Sequence, residues 1–293
     1  MRIVFIGAVR FSEACLKKLI AMHANVVGVC TLKESPFNAD HVDLSPFCEE
    51  YRIPVSYMPD INTKESLDRI KSYMPDVIFC FGWSRLLKSE LLGIAPLGVV
   101  GFHPAALPAN RGRHPLIWAL VLGLSETAAT FFFMDEGADS GDILSQCRIG
   151  IGITDDAGDL YRKMTETALG QLEKFVPALA SGCYQRIPQD HSEANVWRKR
   201  GKMDGKIDWR MSARSIHNLV RGLARPYVGA HFEINGEEIS VWKTECVDDM
   251  PSNMEPGKIL SADAFGVLVK AGEGAIRIME MEPAITLEEG DYL

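Results

Sequence analysis

Two side chains at the ends of apolar runs carry the clearest chemistry in this chain. His103 stands in Gly101–Pro115 (GFHPAALPANRGRHP), and Asp139 stands in Ala138–Leu144 (ADSGDIL). An imidazole titrates near neutrality and a carboxylate can hold its tautomer. Together they can polarise a carbonyl oxygen and move a proton. A lone histidine beside a proline-rich loop is more often structural. Here the order of elements favours chemistry: a strand, His-x4-Pro, Arg-Gly, a helix from Pro115, a strand ending at Met134, then the aspartate loop.

The elements that must position this pair alternate through the first two thirds of the chain. Ile3–Gly7, Val26–Thr31, Val77–Phe81, Val99–Phe102 and Thr130–Met134 read as strands. Glu13–Ala21, Lys64–Tyr73, Leu116–Leu122 and Ala157–Ala178 carry helical spacing. The strands are continuously apolar, which predicts an α/β fold whose parallel-rich sheet is covered on both faces. Such sheets take ligands beyond the carboxyl ends of their strands, where Arg10, Gly82-Trp83, His103 and Asp135–Asp139 are expected. The first turn, Gly7-Ala8-Val9-Arg10-Phe11, lacks the G-x-G-x-x-G that a dinucleotide pyrophosphate needs, so a nicotinamide-dependent oxidoreductase is disfavoured. No Walker loop or nucleophile elbow is present.

Composition changes after about residue 182. Residues 1–190 are expected to form one domain, 191–205 a linker and 206–293 a second, β-rich domain. In the latter, Ser212–Ala224 reads as a helix and Asn235-Gly236 as a hairpin turn between alternating strands. A small open barrel fits that pattern.

The chain has 293 residues, 47% of them hydrophobic and 24% charged, which is ordinary for a globular protein. No apolar run approaches the roughly 18–20 residues of a membrane span. The first strand follows Met1 directly, so no signal peptide is expected. The seven cysteines are scattered and lack C-x-x-C spacing. This points to a reducing cytoplasm and away from a zinc site. A net charge of −8, with no basic run longer than Arg198–Arg200, argues against a nucleic-acid partner.

The His103 and Asp139 segments, with Asp204–Trp209 and Pro256–Gly274 downstream, resemble the 10-formyltetrahydrofolate-dependent formyltransferases over nearly the whole chain. The resemblance implies a Rossmann-like formyltransferase domain followed by an OB-like β-barrel, with 10-formyltetrahydrofolate as formyl donor and no metal. It also implies catalytic roles: His103 stabilises the oxyanion, and Asp139 supports it and relays the proton of the attacking amine. The family pattern has an asparagine two positions before the histidine, and this chain has Gly101. Losing one oxyanion donor typically costs about 3 kcal/mol. Three alternatives stay open: a substitute donor (Asn110, Ser84 or a backbone N–H), a water in the space, or a slow or inactive enzyme. For the folate, the resemblance implies the loop Phe81–Lys88, with Trp83, Arg85, Leu86 and Leu87, closed on the other side by Asp135 and Gly137.

The acceptor is expected to be a nucleotide-linked amino sugar, with a CMP-linked 7-amino nonulosonic acid as one candidate. The segment Lys33–Asp43 is short and near neutral, where methionyl-tRNA formyltransferases carry a long basic insertion. The C-terminal region is acidic at Asp248-Asp249 and Glu288-Glu289. Arg10, Asn110, Arg111 and Arg113 are the candidate substrate-binding residues. A homodimer is compatible with the sequence. Methionyl-tRNA formyl transfer and a non-catalytic binding module are the competing readings.

Overall fold

The computed structural model describes residues 1–35 and 39–293. Pro36, Phe37 and Asn38, part of the Lys33–Asp43 segment used above, lie outside the described residues. The described chain forms two compact units. The first comprises Met1–Gly112, Thr127–Ile149 and Arg162–Trp197; the second comprises Arg113–Glu126, Gly150–Tyr161 and Arg198–Leu293.

The first unit is built on a seven-stranded sheet. Its strands are β1 (Ile3–Ile6), β2 (Val26–Thr31), β3 (Val55–Tyr57), β4 (Val77–Cys80), β5 (Val99–His103), β7 (Glu126–Phe133) and β8 (Ile143–Gly150). They lie in the order β3-β2-β1-β4-β5-β7-β8. The first five are parallel, as the continuous apolar runs of β1, β2, β4 and β5 suggest. β1, β4 and most of β5 are buried along their length. Helices α1 (Arg10–Ala21), α2 (Ser45–Glu50), α3 (Lys64–Ser72) and α4 (Ser89–Leu92) fill the crossovers. A two-residue parallel ladder, β6 (Arg111–Gly112) with β9 (Val196–Trp197), ties down the loop after β5.

The turn from β1 into α1 is set by Ser12, whose Oγ accepts from the amides of Ala8 and Val9 and donates to the carbonyl of Phe81. A side chain at Gly7 would lie 2.5 Å from Ser12 Cβ and 2.6 Å from Phe81 O. Glycine is thus required for a close backbone approach, here to a neighbouring strand rather than to a pyrophosphate. The helix begins at Arg10, three residues before the apolar spacing predicts.

In the second unit, α5 (Pro115–Val121) and α7 (Ala213–Leu223) accompany a five-stranded antiparallel sheet. Its strands are β10 (Ala230–Ile234), β11 (Glu237–Val247), β12 (Ile259–Asp263), β13 (Gly266–Lys270) and β14 (Ala275–Glu282), in the order β10-β11-β14-β13-β12. Asn235 and Gly236 take φ of 53° and 81°, the left-handed pair of the expected tight hairpin. Ile216, Leu219, Val220 and Leu223 of α7 join Trp209, Phe232, Ile239 and Ile276 in one buried cluster. Gly222 lets α7 approach α5 closely, since a Cβ there would lie 3.0 Å from Val121 Cγ2. The long helix α6 (Ala157–Ser181) has residues in both units. No helix among the described residues is long and apolar enough to cross a membrane.

Candidate active site

His103 is the last residue of β5 and only 4% exposed. Its Nε2 lies 2.7 Å from the carbonyl oxygen of Asn110. A carbonyl can only accept, so Nε2 carries the proton and donates. Nδ1 faces Asp139 Oδ2 at 3.5 Å. A neutral imidazole has one proton and cannot donate to both acceptors. The gap between Nδ1 and the carboxylate is therefore a place where one further proton can be held.

Asp139 reaches this position by an indirect route. β7 runs antiparallel to β5, with Thr130 opposite His103 and Phe133 opposite Val100. The carboxyl end of β7 thus lies beside the beginning of β5, and residues 135–142 must bring Asp139 back to the histidine. This departs from the sequence expectation, which placed the aspartate loop beyond the same carboxyl strand ends as His103. The reason is strand polarity, which an apolar run does not encode.

The returning loop is fastened at several points. Asp139 Oδ2 accepts from the amide of Gly112 at 2.9 Å. The Gln189 carboxamide donates to the carbonyls of Asp139 (2.9 Å) and Gly141 (2.7 Å). Its own oxygen accepts from Arg111 Nη2 at 2.6 Å. Asp139 and Asn110 adopt left-handed backbone conformations, with φ of 54° and 64°. Asn and Asp tolerate this better than other non-glycine residues, and such residues often cluster where surrounding structure holds a functional loop. The Asn110 amide donates to Asn195 Oδ1 at 2.6 Å.

Gly101 lies two residues before His103, and its Cα faces occupied space. A Cβ there would stand 2.8 Å from Met134 Cγ, 3.0 Å from its sulfur and 3.2 Å from Phe132 Cε1. The thioether of Met134 takes up the room at this position, which speaks against the water-filled alternative. A thioether sulfur only accepts, so Met134 supplies no donor to an oxyanion.

The remaining predicted residues fall in different surroundings. Leu86 is 67% exposed, while Leu87 is buried in the core beside β4. Arg85 is exposed. Trp83 packs against the same core, and its buried indole N–H has no hydrogen-bond partner among the described residues. Asp135 Oδ1 accepts from the Gly137 amide and the Ser140 hydroxyl, shaping its own turn. Arg10 is exposed at the start of α1, its amide donating to Asp40 O. Arg111 is buried, with its guanidinium turned to Gln189 and to His191 Nδ1. Arg113 is exposed and opens the second unit.

Sequence inspection missed the residues that brace the site: Asn62, Gln189, Asn195 and Met134. Asn62 donates to Leu86 O and accepts from the Lys88 amide, strapping the loop after β4. These are neutral polar or thioether side chains in unremarkable contexts, and only their partners give them meaning. Among the described residues no group of three or more His, Cys, Asp or Glu side chains could hold a metal ion.

Comparison with known proteins places this geometry in a lineage. The chain matches the Formyl transferase family over residues 1–174 and the Formyl transferase, C-terminal domain, over residues 200–288. It is 32% identical over 286 residues to the methionyl-tRNA formyltransferase of Desulforamulus reducens, covering 96% of this chain and 90% of the relative. The enzyme of that name from Clostridioides difficile is likewise 32% identical, with 96% and 92% covered. Among solved structures, WlaRD, a sugar 3N-formyl transferase, superposes with a TM-score of 0.73 at 16% identity, covering 97% of this chain and 99% of its own. HypX from Aquifex aeolicus gives 0.69 at 18% identity, covering 96% of this chain and 44% of its own.

These likenesses correct the expectation of an amino-sugar acceptor. Full-length sequence similarity runs to methionyl-tRNA formyltransferases, whereas the sugar enzyme shares the fold at an identity too low to carry its substrate. Net charge is a weak guide to the acceptor, because polyanion recognition depends on where cations sit, not on their sum. With both domains matched in order and the relatives matched end to end, the chain is an N-formyltransferase and belongs to the formyl transferase family.

Proposed function

We propose that this protein transfers a formyl group from 10-formyltetrahydrofolate to the α-amino group of a methionyl-tRNA. The observation that carries this reading is identity of about a third along the full length of relatives with that activity in their name. The loop after β4 fits the donor: Asn62 fixes its backbone, and Leu86 holds an apolar side chain out to solvent. Leu86, with Arg85 and the 135–139 turn, would hold the folate, which supplies an electrophilic formyl carbon. An exposed leucine on a strapped loop is costly in water and useful against a flat heteroaromatic ring.

The chain's own residues then manage one proton and one developing charge. The attacking amine must lose a proton; the Nδ1–Asp139 gap can take it, with the carboxylate stabilising the resulting imidazolium, and can return it to the tetrahydrofolate nitrogen as that nitrogen's bond to the formyl carbon breaks. The Nε2–H can serve an oxyanion only by leaving or sharing the Asn110 carbonyl that now accepts it. Gly112 N–H holds Asp139 in place while this occurs.

Incubation of the full chain with 10-formyltetrahydrofolate and charged initiator tRNA tests the reading directly. Formyl-methionyl-tRNA should accumulate with turnover. Absence of product, while other amine acceptors are formylated, would reject the acceptor assignment.

A further inference from the structure

The second unit contains a cavity of about 360 Å³ lined by Thr154, His217, Arg221, Trp242, Lys243 and Thr244 among others. Arg225 of its lining is paired with Glu280, whereas Arg221, His217 and Lys243 keep donor atoms that have no hydrogen bond among the described residues. Arg221 is 9% exposed and spends Nη1 on the carbonyls of Gly152 and Asp155 and Nε on Asn218 Oδ1. Among the described residues, its Nη2 has no partner. His217 bonds Thr244 Oγ1 through Nδ1, and among the described residues its Nε2 has no hydrogen bond. Lys243 has neither a hydrogen bond nor an ion pair within the described chain.

The two carboxylates at the cavity are already engaged. Asp156 Oδ1 accepts from the Asp159 amide at the start of α6. Glu280 pairs with Arg225 at 2.9 Å, and Arg225 lies 4.2 Å from the Trp242 ring centre. Burial first, then the charges of Arg221 and Arg214, hold His217 below its ordinary range. Arg221, Arg225 and Lys243 outnumber the carboxylates of Asp156 and Glu280 at the cavity, so an anion placed among them is favoured.

Backbone geometry concentrates these groups. In a regular strand Trp242, Lys243 and Thr244 would alternate between faces. The register of β11 against β14 shifts on both sides of Lys243, so a bulge turns three consecutive residues to one cavity. Bulges commonly re-aim side chains in this way.

We propose that this cavity is a phosphate-binding site, with Arg221 Nη2, His217 Nε2 and Lys243 Nζ donating to the oxygens of one phosphate group. Donors from a helix and a bulged strand match an oxyanion with several acceptor oxygens. The site does not depend on the acceptor proposed above. A free phosphorylated molecule and a nucleic-acid backbone both present this chemistry.

Calorimetric titration of the full chain with inorganic phosphate at low ionic strength tests it. Wild type should bind, and Lys243→Glu should weaken binding at least tenfold while leaving the melting temperature unchanged, because Lys243 is exposed. Lys243→Met should fall between the two. The source is then separated by tRNA binding at several salt concentrations. If the site takes a backbone phosphate, Lys243→Glu lowers the slope of log affinity against log salt by about one. An unchanged slope with lost phosphate binding assigns the site to a free phosphorylated molecule. No phosphate binding by wild type, or equal binding by the Lys243→Glu protein, overturns the proposal.

Discussion

The candidate active-site region of the first unit and the cavity of the second treat buried polar groups in different ways. Around His103 most polar groups are matched: Nε2 with Asn110, the Asp139 carboxylate with Gly112, Arg111 with Gln189, and Gln189 with the 139–141 backbone, while Nδ1 faces Asp139 Oδ2 across 3.5 Å. At the second cavity Arg221 is fixed through Nη1 and Nε, while its Nη2 and the Lys243 ammonium have no bond among the described residues. A saturated network has few alternative arrangements, so it suits a task that needs fixed distances. An unsaturated one stores an unmet demand, which suits capture of a ligand.

The largest expected break in that comparison comes from the saturated side. His103→Ala should lower the formyl-transfer rate by two to four orders of magnitude, the range for a positioned proton-transfer group. Retention of more than about a tenth of the wild-type rate would mean less than about 1.4 kcal/mol was at stake and would remove His103 from the mechanism. Asp139→Asn should cost nearly as much, since an amide oxygen can keep the Gly112 bond but cannot stabilise an imidazolium. Folate affinity, measured separately, should change far less.

Packing at Gly101 gives the next effect. Gly101→Asn drives a side chain into Met134 and should destabilise the protein by about 2 kcal/mol, as overpacking usually does. Without relief of that clash the rate should not rise. Gly101→Asn combined with Met134→Ala should recover the stability, and single-turnover rates of the double variant then show whether a carboxamide helps. A gain of tens of fold would mean that Gly101 leaves the enzyme short of one oxyanion donor; no gain would mean that another group already serves.

The smallest effect concerns charge in the second unit. Burial, followed by Arg113, Arg200 and Lys199, holds His114 below its ordinary value of 6.5. Its Nδ1 accepts from the Arg200 amide, which suits the neutral ring. The unfolded chain therefore takes up the proton first. The stability contribution is complete above about pH 6.5 and is lost as pH falls from there towards the folded value. His217 acts with the same sign. Urea midpoints at pH 7.5 and 5.5 should differ less for His114→Asn, whose side chain tolerates the φ of 56° found there. An unchanged difference would exclude His114 as a contributor.

Much of the architecture was legible because burial on both faces forces continuous apolar strands. β1, β2, β4 and β5 stood out for that reason, and Asn235-Gly236 stood out because few residues tolerate two successive left-handed conformations. β8 was missed: Ser145, Gln146, Cys147 and Arg148 interrupt its apolar pattern. The start of β7 was missed too, because Thr127, Ala128 and Ala129 are buried but small or polar. His103 and Asp139 could be named as a pair from residue types, the order of elements around them and the family resemblance.

What the sequence determined by itself was the set of chemical groups, the alternation of elements and the family to which they belong. Tertiary structure alone decided that β7 opposes β5, so that a loop must carry Asp139 back to His103. It also decided that Arg111 turns inward to Gln189, that Met134 occupies the space beside Gly101, and that a bulge gathers Lys243 with Arg221 and His217. Such facts are contacts between residues far apart in the chain. Local periodicity reports which face of an element is apolar, but not which distant side chain will meet its polar atoms.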